Sequence, residues 1–220
     1  MNYTFPHNFI AIEGNIGAGK TTLCNMLARD FGSRKILEQF TDNPFLPLFY
    51  DNPERYAFPV ELFFMTERHK QLQEAFSQPD LFQSFISADY YFVKTLLFAK
   101  NNLNTEEYRL FQRLFNTLNA NFPKPDLLVY LHRSIADLKK NIRNRGREME
   151  QDIKNNYLQS VQDAYFDYFK TVQDFPVLIL DIGNANFWEN TTHYQAILKA
   201  ITQKYPNGLR RMHLLELVEH

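Results

Sequence analysis

The stretch IAIEGNIGAGKTTL, from Ile10 to Leu23, constrains this chain more than any other. Only seven glycines occur in 220 residues, and Gly14, Gly17 and Gly19 all fall within this one turn. The run from Gly14 to Thr21 reads G-x-x-x-x-G-K-[ST]. It follows an apolar strand pattern and opens a helical one, which is the setting of a phosphate-binding loop. Where side chains are stripped away, successive N–H groups turn inward and form an anion-binding concavity. Gly14, Asn15, Ile16, Gly17, Ala18, Gly19, Lys20, Thr21 and Thr22 are therefore the candidate site for the phosphates of ATP. Lys20 is expected to reach the β and γ phosphates and Thr21 to ligate Mg²⁺, while the positive end of the following helix adds favourable charge.

The rest of the chain alternates short apolar runs with longer helical patterns. Runs at 9–14, 35–40, 127–132 and 177–183, with a weaker one at 81–89, read as strands. Helical spacing covers 20–31, 56–76, 105–121, 134–145 and 150–171. Strands joined by helical crossovers give a parallel sheet, hence an α/β three-layer fold. Prolines in 42–56 mark a loop with short helical pieces and those in 121–126 close a helix and start a strand, and no linker, repeat or low-complexity segment divides residues 1–220, so a single domain is expected. A 45% hydrophobic fraction supplies the core for it.

Composition also narrows the partners. The 24 basic and 25 acidic residues nearly cancel, which argues against wholesale attraction to nucleic acid or an anionic membrane. The single cysteine, Cys24, cannot form an internal disulfide and is expected to pack in the core. With no signal-peptide pattern and no apolar run of membrane-spanning length, a cytoplasmic protein is expected. The six histidines lack metal-ligand spacing, so no zinc site is expected.

A phosphate loop is common to small-molecule kinases, nucleotide switches and motor-like ATPases, so carboxylates and arginines must discriminate between them. Glu38, at the end of the second predicted strand, should stand beside the loop if strands one and two are neighbours. A carboxylate there can take the proton of an attacking hydroxyl. Asp89, ending the third run, is a candidate for holding Mg²⁺ directly or through water. Arg143, Arg145 and Arg147 surround Gly146 and can form a lid, at about 143–151, that neutralises moving charge and excludes water. A strand-end carboxylate and a solvated basic helix end are the plainer readings of these residues.

Taken together, EGNIGAGKTTL, the glutamate of ILEQFTDNPFL, FYDNPERYAF followed by ELFF, SAD at 87–89 and RGREMEQ resemble the deoxynucleoside kinase family over nearly the whole chain. The resemblance implies a five-stranded parallel sheet flanked by helices, usually dimeric, and Mg²⁺-dependent transfer of the ATP γ-phosphate to the 5′-hydroxyl of a deoxynucleoside. It makes Glu38 the base and Arg143, Arg145 and Arg147 the lid. Tyr50 and Glu150 match positions that hold the sugar 3′-hydroxyl. Phe98 falls near an aromatic that stacks on the base, with a core role as the alternative. Phe187 and Trp188 follow the last strand, either near the adenine of ATP or as packing.

Two departures stand out. The family's acidic-Arg-Ser motif reads Asp89-Tyr90-Tyr91 here, leaving Arg68 and Arg133 as candidates for the missing arginine. Glu61 replaces a glutamine that makes paired hydrogen bonds to the base. An ionised glutamate offers only acceptors, which match the N1–H and 2-amino donors of guanine. A purine substrate is thus expected, guanine if Glu61 reads the base unpaired, with adenine equally favoured if Arg68 binds Glu61. The alternatives are a thymidylate-type monophosphate kinase and a nucleotide-dependent switch whose metal strand would end at Asp181. The tail from Gly208 reads as a final helix or a dimer contact.

Overall fold

A computed structural model describes residues 3–38, 43–77, 85–119 and 122–218. Its centre is β1 (Phe9–Gly14), in which every residue is buried. The other strands are β2 (Arg34–Ile36), β3 (Ile86–Ala88), β4 (Leu127–His132), β5 (Pro176–Asp181) and β6 (Gly208–His213). They form one sheet in the order β2-β3-β1-β4-β5-β6, and every pairing is parallel.

Period-two alternation along β1 sends Ile10 and Ile12 to one face and Phe9 and Ala11 to the other. The first pair packs with Leu23 and Leu27 of α1 (Lys20–Phe31), Leu138 and Ile142 of α6 (Ile135–Arg145), and Ile197 and Ile201 of α8 (Thr191–Ile201). The second pair joins Met65 and Leu72 of α3 (Pro53–Ser77), Phe111 and Phe115 of α5 (Thr105–Asn119), and Tyr165 and Phe169 of α7 (Asn155–Phe169). The remaining α-helices among the described residues are α2 (Leu46–Asp51), α4 (Lys94–Asn102) and α9 (Leu214–Val218). Cys24 lies wholly inside the first of these cores. Among the described residues no helix is long and apolar enough to cross a membrane.

Three expectations need correction. The sheet has six strands, because Gly208–His213 pairs with β5 along its whole length and only the segment after it is helical. As an edge strand exposed along most of its length, it carries no buried alternation to betray it. Second, β3 lies between β2 and β1, so strands one and two are not neighbours. Third, β2 ends at Ile36, and Glu38 sits in the segment beyond it. Residues 39–40 of that predicted run, and 81–84 of the third, lie outside the described residues, as do positions 42 and 121 in the two proline-marked loops.

Candidate active site

The carboxyl ends of the parallel strands gather the candidate residues, as open α/β sheets do with their ligands. β1 runs directly into the glycine loop, which turns through positive φ at Gly17 and Gly19. A Cβ at Gly17 would stand 2.9 Å from the Leu138 carbonyl oxygen, and one at Gly19 would press on the ring of Phe187 at 3.0 Å. The glycines therefore serve both backbone conformation and the close approach of neighbouring chain. No side chain caps α1, which leaves its first N–H groups directed at the loop. Asn15 turns inward instead, donating to the Leu158 carbonyl at 2.7 Å and accepting from the Ile16 N–H at 2.8 Å, so its side chain braces the loop.

Lys20 Nζ donates to the Gly14 and Asn15 carbonyls at 2.8 and 3.0 Å, folding back over the loop. Burial, reinforced by the charge of Lys94, lowers its pKa to about 8 against the pull of Glu13, Glu38 and Asp89. A phosphate at the loop would restore the charge that burial opposes. Thr21 donates its hydroxyl to one oxygen of Asp89, and the other accepts the Glu38 N–H at 2.7 Å. Asp89 thus ties Glu38 to the phosphate loop across the intervening strand. Burial first, and Glu38 second, push its carboxyl above the usual range. Thr21 Oγ1 and the Asp89 carboxylate, two adjacent hard oxygen donors, could hold Mg²⁺.

Glu38 is gripped from both sides. Oε1 accepts from Arg68 Nε at 2.9 Å and Oε2 from Lys94 Nζ at 2.6 Å. Burial alone would raise this carboxyl, but Lys94 and Arg68 outweigh it and hold the group well below the ordinary range. Arg68 is itself buried, donates to Thr95 Oγ1 at 2.9 Å and lies over the Phe64 ring at 5.0 Å. It therefore binds Glu38 by hydrogen bonds and leaves Glu61 to other partners. Arg133 is excluded from this cluster: it donates to the carbonyls of Ala18, Gly183 and Ala185 and braces the back of the loop. Tyr90, where the resemblance expected an arginine, gives its hydroxyl to Gln71 at 2.8 Å.

Lys94 escaped the sequence reading. It stands alone in the apolar run YYFVKTLLFA, where a lysine reads as a surface position of a helix. Its signal was the loss of an arginine four residues upstream, together with the need for a cation beside Asp89 and Glu38.

Two cavities meet here. The first, about 300 Å³, is lined by Glu38, Tyr50, Glu61, Arg68, Lys94, Phe98, Glu150 and Tyr157. The second, about 490 Å³, opens over Gly17, Gly19 and Thr22 and is walled by Asn141, Asn144 and Trp188. Both are lined by Lys20, Thr21, Arg145 and Arg147. Of the lid arginines, Arg145 and Arg147 both bond Glu150, Arg147 Nη1 at 3.1 Å. Arg143 lies on the exposed side of α6 and lines neither cavity. Trp188 faces the second cavity, whereas Phe187 is buried against Gly19. Phe98 lines the first, its ring 5.5 Å from Lys94 Nζ. Asp181 lines neither cavity: it lies on β5, two strands from β1, and accepts from Arg211 at 2.9 Å.

Glu61, on α3, is 2% exposed. Oε1 accepts from Asn102 Nδ2 at 2.7 Å, and buried Oε2 has no hydrogen-bond partner among the described residues. Burial chiefly pushes its pKa up to about 7; Arg68 and the Asn102 bond oppose the rise and Glu38 adds to it. Tyr50, beside Glu150, is likewise raised by burial first and the Glu150 charge second.

A phosphate loop at the end of a parallel sheet, with a second enclosed cavity across a shared cationic wall, defines a phosphotransferase of the phosphate-loop class. The family model "Deoxynucleoside kinase" matches residues 10–205, and the chain belongs to the deoxynucleoside kinase family. A deoxyguanosine kinase of Bacillus subtilis is 38% identical over 143 residues, 65% of this chain and 69% of that one. A deoxyadenosine kinase of Lactobacillus acidophilus is 31% identical over 152 residues, 64% and 68% of the two chains. Among solved structures, deoxyadenosine kinase from M. mycoides with bound dATP superposes with a TM-score of 0.74 at 25% identity, covering 89% of this chain and all of that one.

Proposed function

We propose that this phosphotransferase moves the γ-phosphate of ATP to the 5′-hydroxyl of a purine deoxynucleoside in nucleotide salvage, with deoxyguanosine taken by ionised Glu61. The supporting observation is the pair of cavities joined at Lys20, Thr21, Arg145 and Arg147, with Glu38 on the acceptor side. The larger cavity takes the triphosphate over the glycine loop. The smaller takes the nucleoside, with the base between Glu61 and Phe98 and the sugar 3′-hydroxyl toward Tyr50 and Glu150.

In this reading Glu38 receives the 5′-hydroxyl proton. Lys94 and Arg68 make it a weak base but a rigidly placed acceptor. In a loose phosphoryl-transfer transition state the proton leaves late, so placement counts for more than basicity. Lys20 spans the β and γ phosphates. Arg145 and Arg147 exchange Glu150 for phosphate oxygens as the lid closes, neutralising charge and excluding water. Thr21 and Asp89 would hold Mg²⁺, which would supply positive charge against that of the phosphates. The relatives support a purine substrate, since those compared above carry deoxyguanosine and deoxyadenosine kinase names. Arg68 and Lys94, both engaged by Glu38, offer no free cationic seat for the phosphate of a monophosphate acceptor. The resemblance also carries a homodimer and a cytoplasmic setting into the proposal.

The test is ATP-dependent phosphorylation of the four deoxynucleosides, with dTMP and dGMP alongside and a control lacking any acceptor. Conversion of deoxyguanosine and deoxyadenosine ahead of the pyrimidines is expected. Conversion of a monophosphate alone, or ATP hydrolysis with no acceptor consumed, would overturn the reading.

A further inference from the structure

Glu61 presents an arrangement that a glutamine could not. It is a buried carboxyl in the lining of the nucleoside cavity, with one oxygen committed to Asn102 on α4 and the other buried without a hydrogen-bond partner among the described residues. Its charged and titratable surroundings come from several segments of the chain. Arg68 lies on its own helix, Glu38 on the segment after β2, Lys94 on α4, and Tyr157 on α7, the last joined to Asn102 at 3.4 Å. Arg68 and Lys94 turn their donors to Glu38, so neither fixes Glu61 as an anion by direct contact.

We propose that Glu61 reads deoxyadenosine only as the protonated acid, whereas deoxyguanosine is read in either protonation state, so that pH sets the choice between the two purines. The proposal rests on the reading above that Glu61 meets the base. The hydrogen-bond inventory dictates the asymmetry. Adenine offers a 6-amino donor beside the N1 acceptor. Against a carboxylate the N1 lone pair faces a second lone pair, while against a carboxylic acid the O–H donates to N1 and the carbonyl accepts from the amino group. Guanine offers two adjacent donors, N1–H and the 2-amino group, to the carboxylate. It also offers N1–H beside the O6 acceptor to the acid. The unpartnered oxygen, Oε2, is the atom that must carry the proton for adenine, and among the described residues no group bonds it. Burial brings this carboxyl to a pKa of about 7, where both states are populated near neutral pH. Deoxyguanosine and deoxyadenosine kinases also occur among the relatives.

Internal competition between the two nucleosides in one reaction measures the ratio of their kcat/KM values, in which Glu38, the lid and the phosphate site cancel. From about pH 6 to about pH 8.5 the ratio of deoxyguanosine to deoxyadenosine should climb, approaching tenfold per pH unit at the alkaline end. Glu61→Gln, permanently neutral, should hold the ratio flat. Asn102→Leu removes a donor that favours the ionised form and should displace the rise to higher pH, which keeps the test open if the glutamine variant folds poorly. A flat ratio in the wild type, with both nucleosides converted, would overturn the inference and leave the kinase reading intact. Conversion of neither would overturn that reading itself.

Discussion

Lys94 Nζ stands 2.6 Å from Glu38 Oε2, and both side chains are largely withdrawn from solvent. With Arg68 on the opposite oxygen, this pair fixes a carboxylate at the mouth of the phosphate loop. Replacing Lys94 by Met keeps the length of the side chain and removes the charge. The variant should lose about 10- to 100-fold in kcat with a smaller change in the nucleoside KM, because placement is what Lys94 provides. Lys94→Arg should recover part of the loss. Equal kcat in wild type and Lys94→Met, by steady-state kinetics, would contradict this role.

Glu61 also leaves a signature in stability. Its carboxyl titrates near pH 4.5 when unfolded and near 7 when folded, so the native state binds the proton more tightly. The associated stability is complete below about pH 4.5 and is lost as pH rises through about 7. Between about pH 5.5 and about pH 8.5 the wild type should lose roughly 2 kcal/mol more than Glu61→Gln in denaturant unfolding, following the linkage slope. Parallel curves for the two proteins would count against the shift.

A second buried carboxylate supports the floor of the site. Glu13, with no exposed surface, accepts the Tyr91 N–H and the Tyr165 hydroxyl, each at 2.7 Å. Tyr165→Phe removes one of these donors and should cost about 1–3 kcal/mol in unfolding free energy, the penalty of a buried acceptor left short. Little change in the KM for ATP is expected, since Tyr165 lines neither cavity. No stability loss would mean that the bond carries little weight.

Gly17 is the most demanding glycine of the loop. Its φ of +84° is unfavourable for any side chain, and a Cβ would meet the Leu138 carbonyl. Gly17→Ala should therefore destabilise the fold by about 1–3 kcal/mol and raise the KM for ATP more than that for the nucleoside. A KM effect confined to the nucleoside would be inconsistent with the phosphate role.

The phosphate loop and α1 were legible in the sequence because glycine spacing, strand and helix signals all agree there, and α1 begins and ends as expected. β4 was equally plain, since a fully buried parallel strand is a continuous apolar run. Strand order was not legible: it depends on where each crossover lands, and nothing in ILEQF records that β3 inserts beside β1. β6 was hidden because an exposed edge strand has little apolar pattern. The site divides in the same way. Glu38, Asp89, Tyr50, Phe98 and Glu150 all line one cavity, whereas Arg143 does not. Arg133, a candidate for the missing arginine, proved to be a loop brace, and the sequence hints at Lys94 only through the arginine missing at Tyr90.

The most direct test of the account is the single-turnover rate of phosphate transfer in Glu38→Gln, with ATP and deoxyguanosine bound beforehand and nucleotide affinity measured in parallel. A fall of about 10²- to 10⁴-fold with ATP binding preserved is expected, the range for losing a general base. Transfer at the wild-type rate with the carboxylate gone would contradict it.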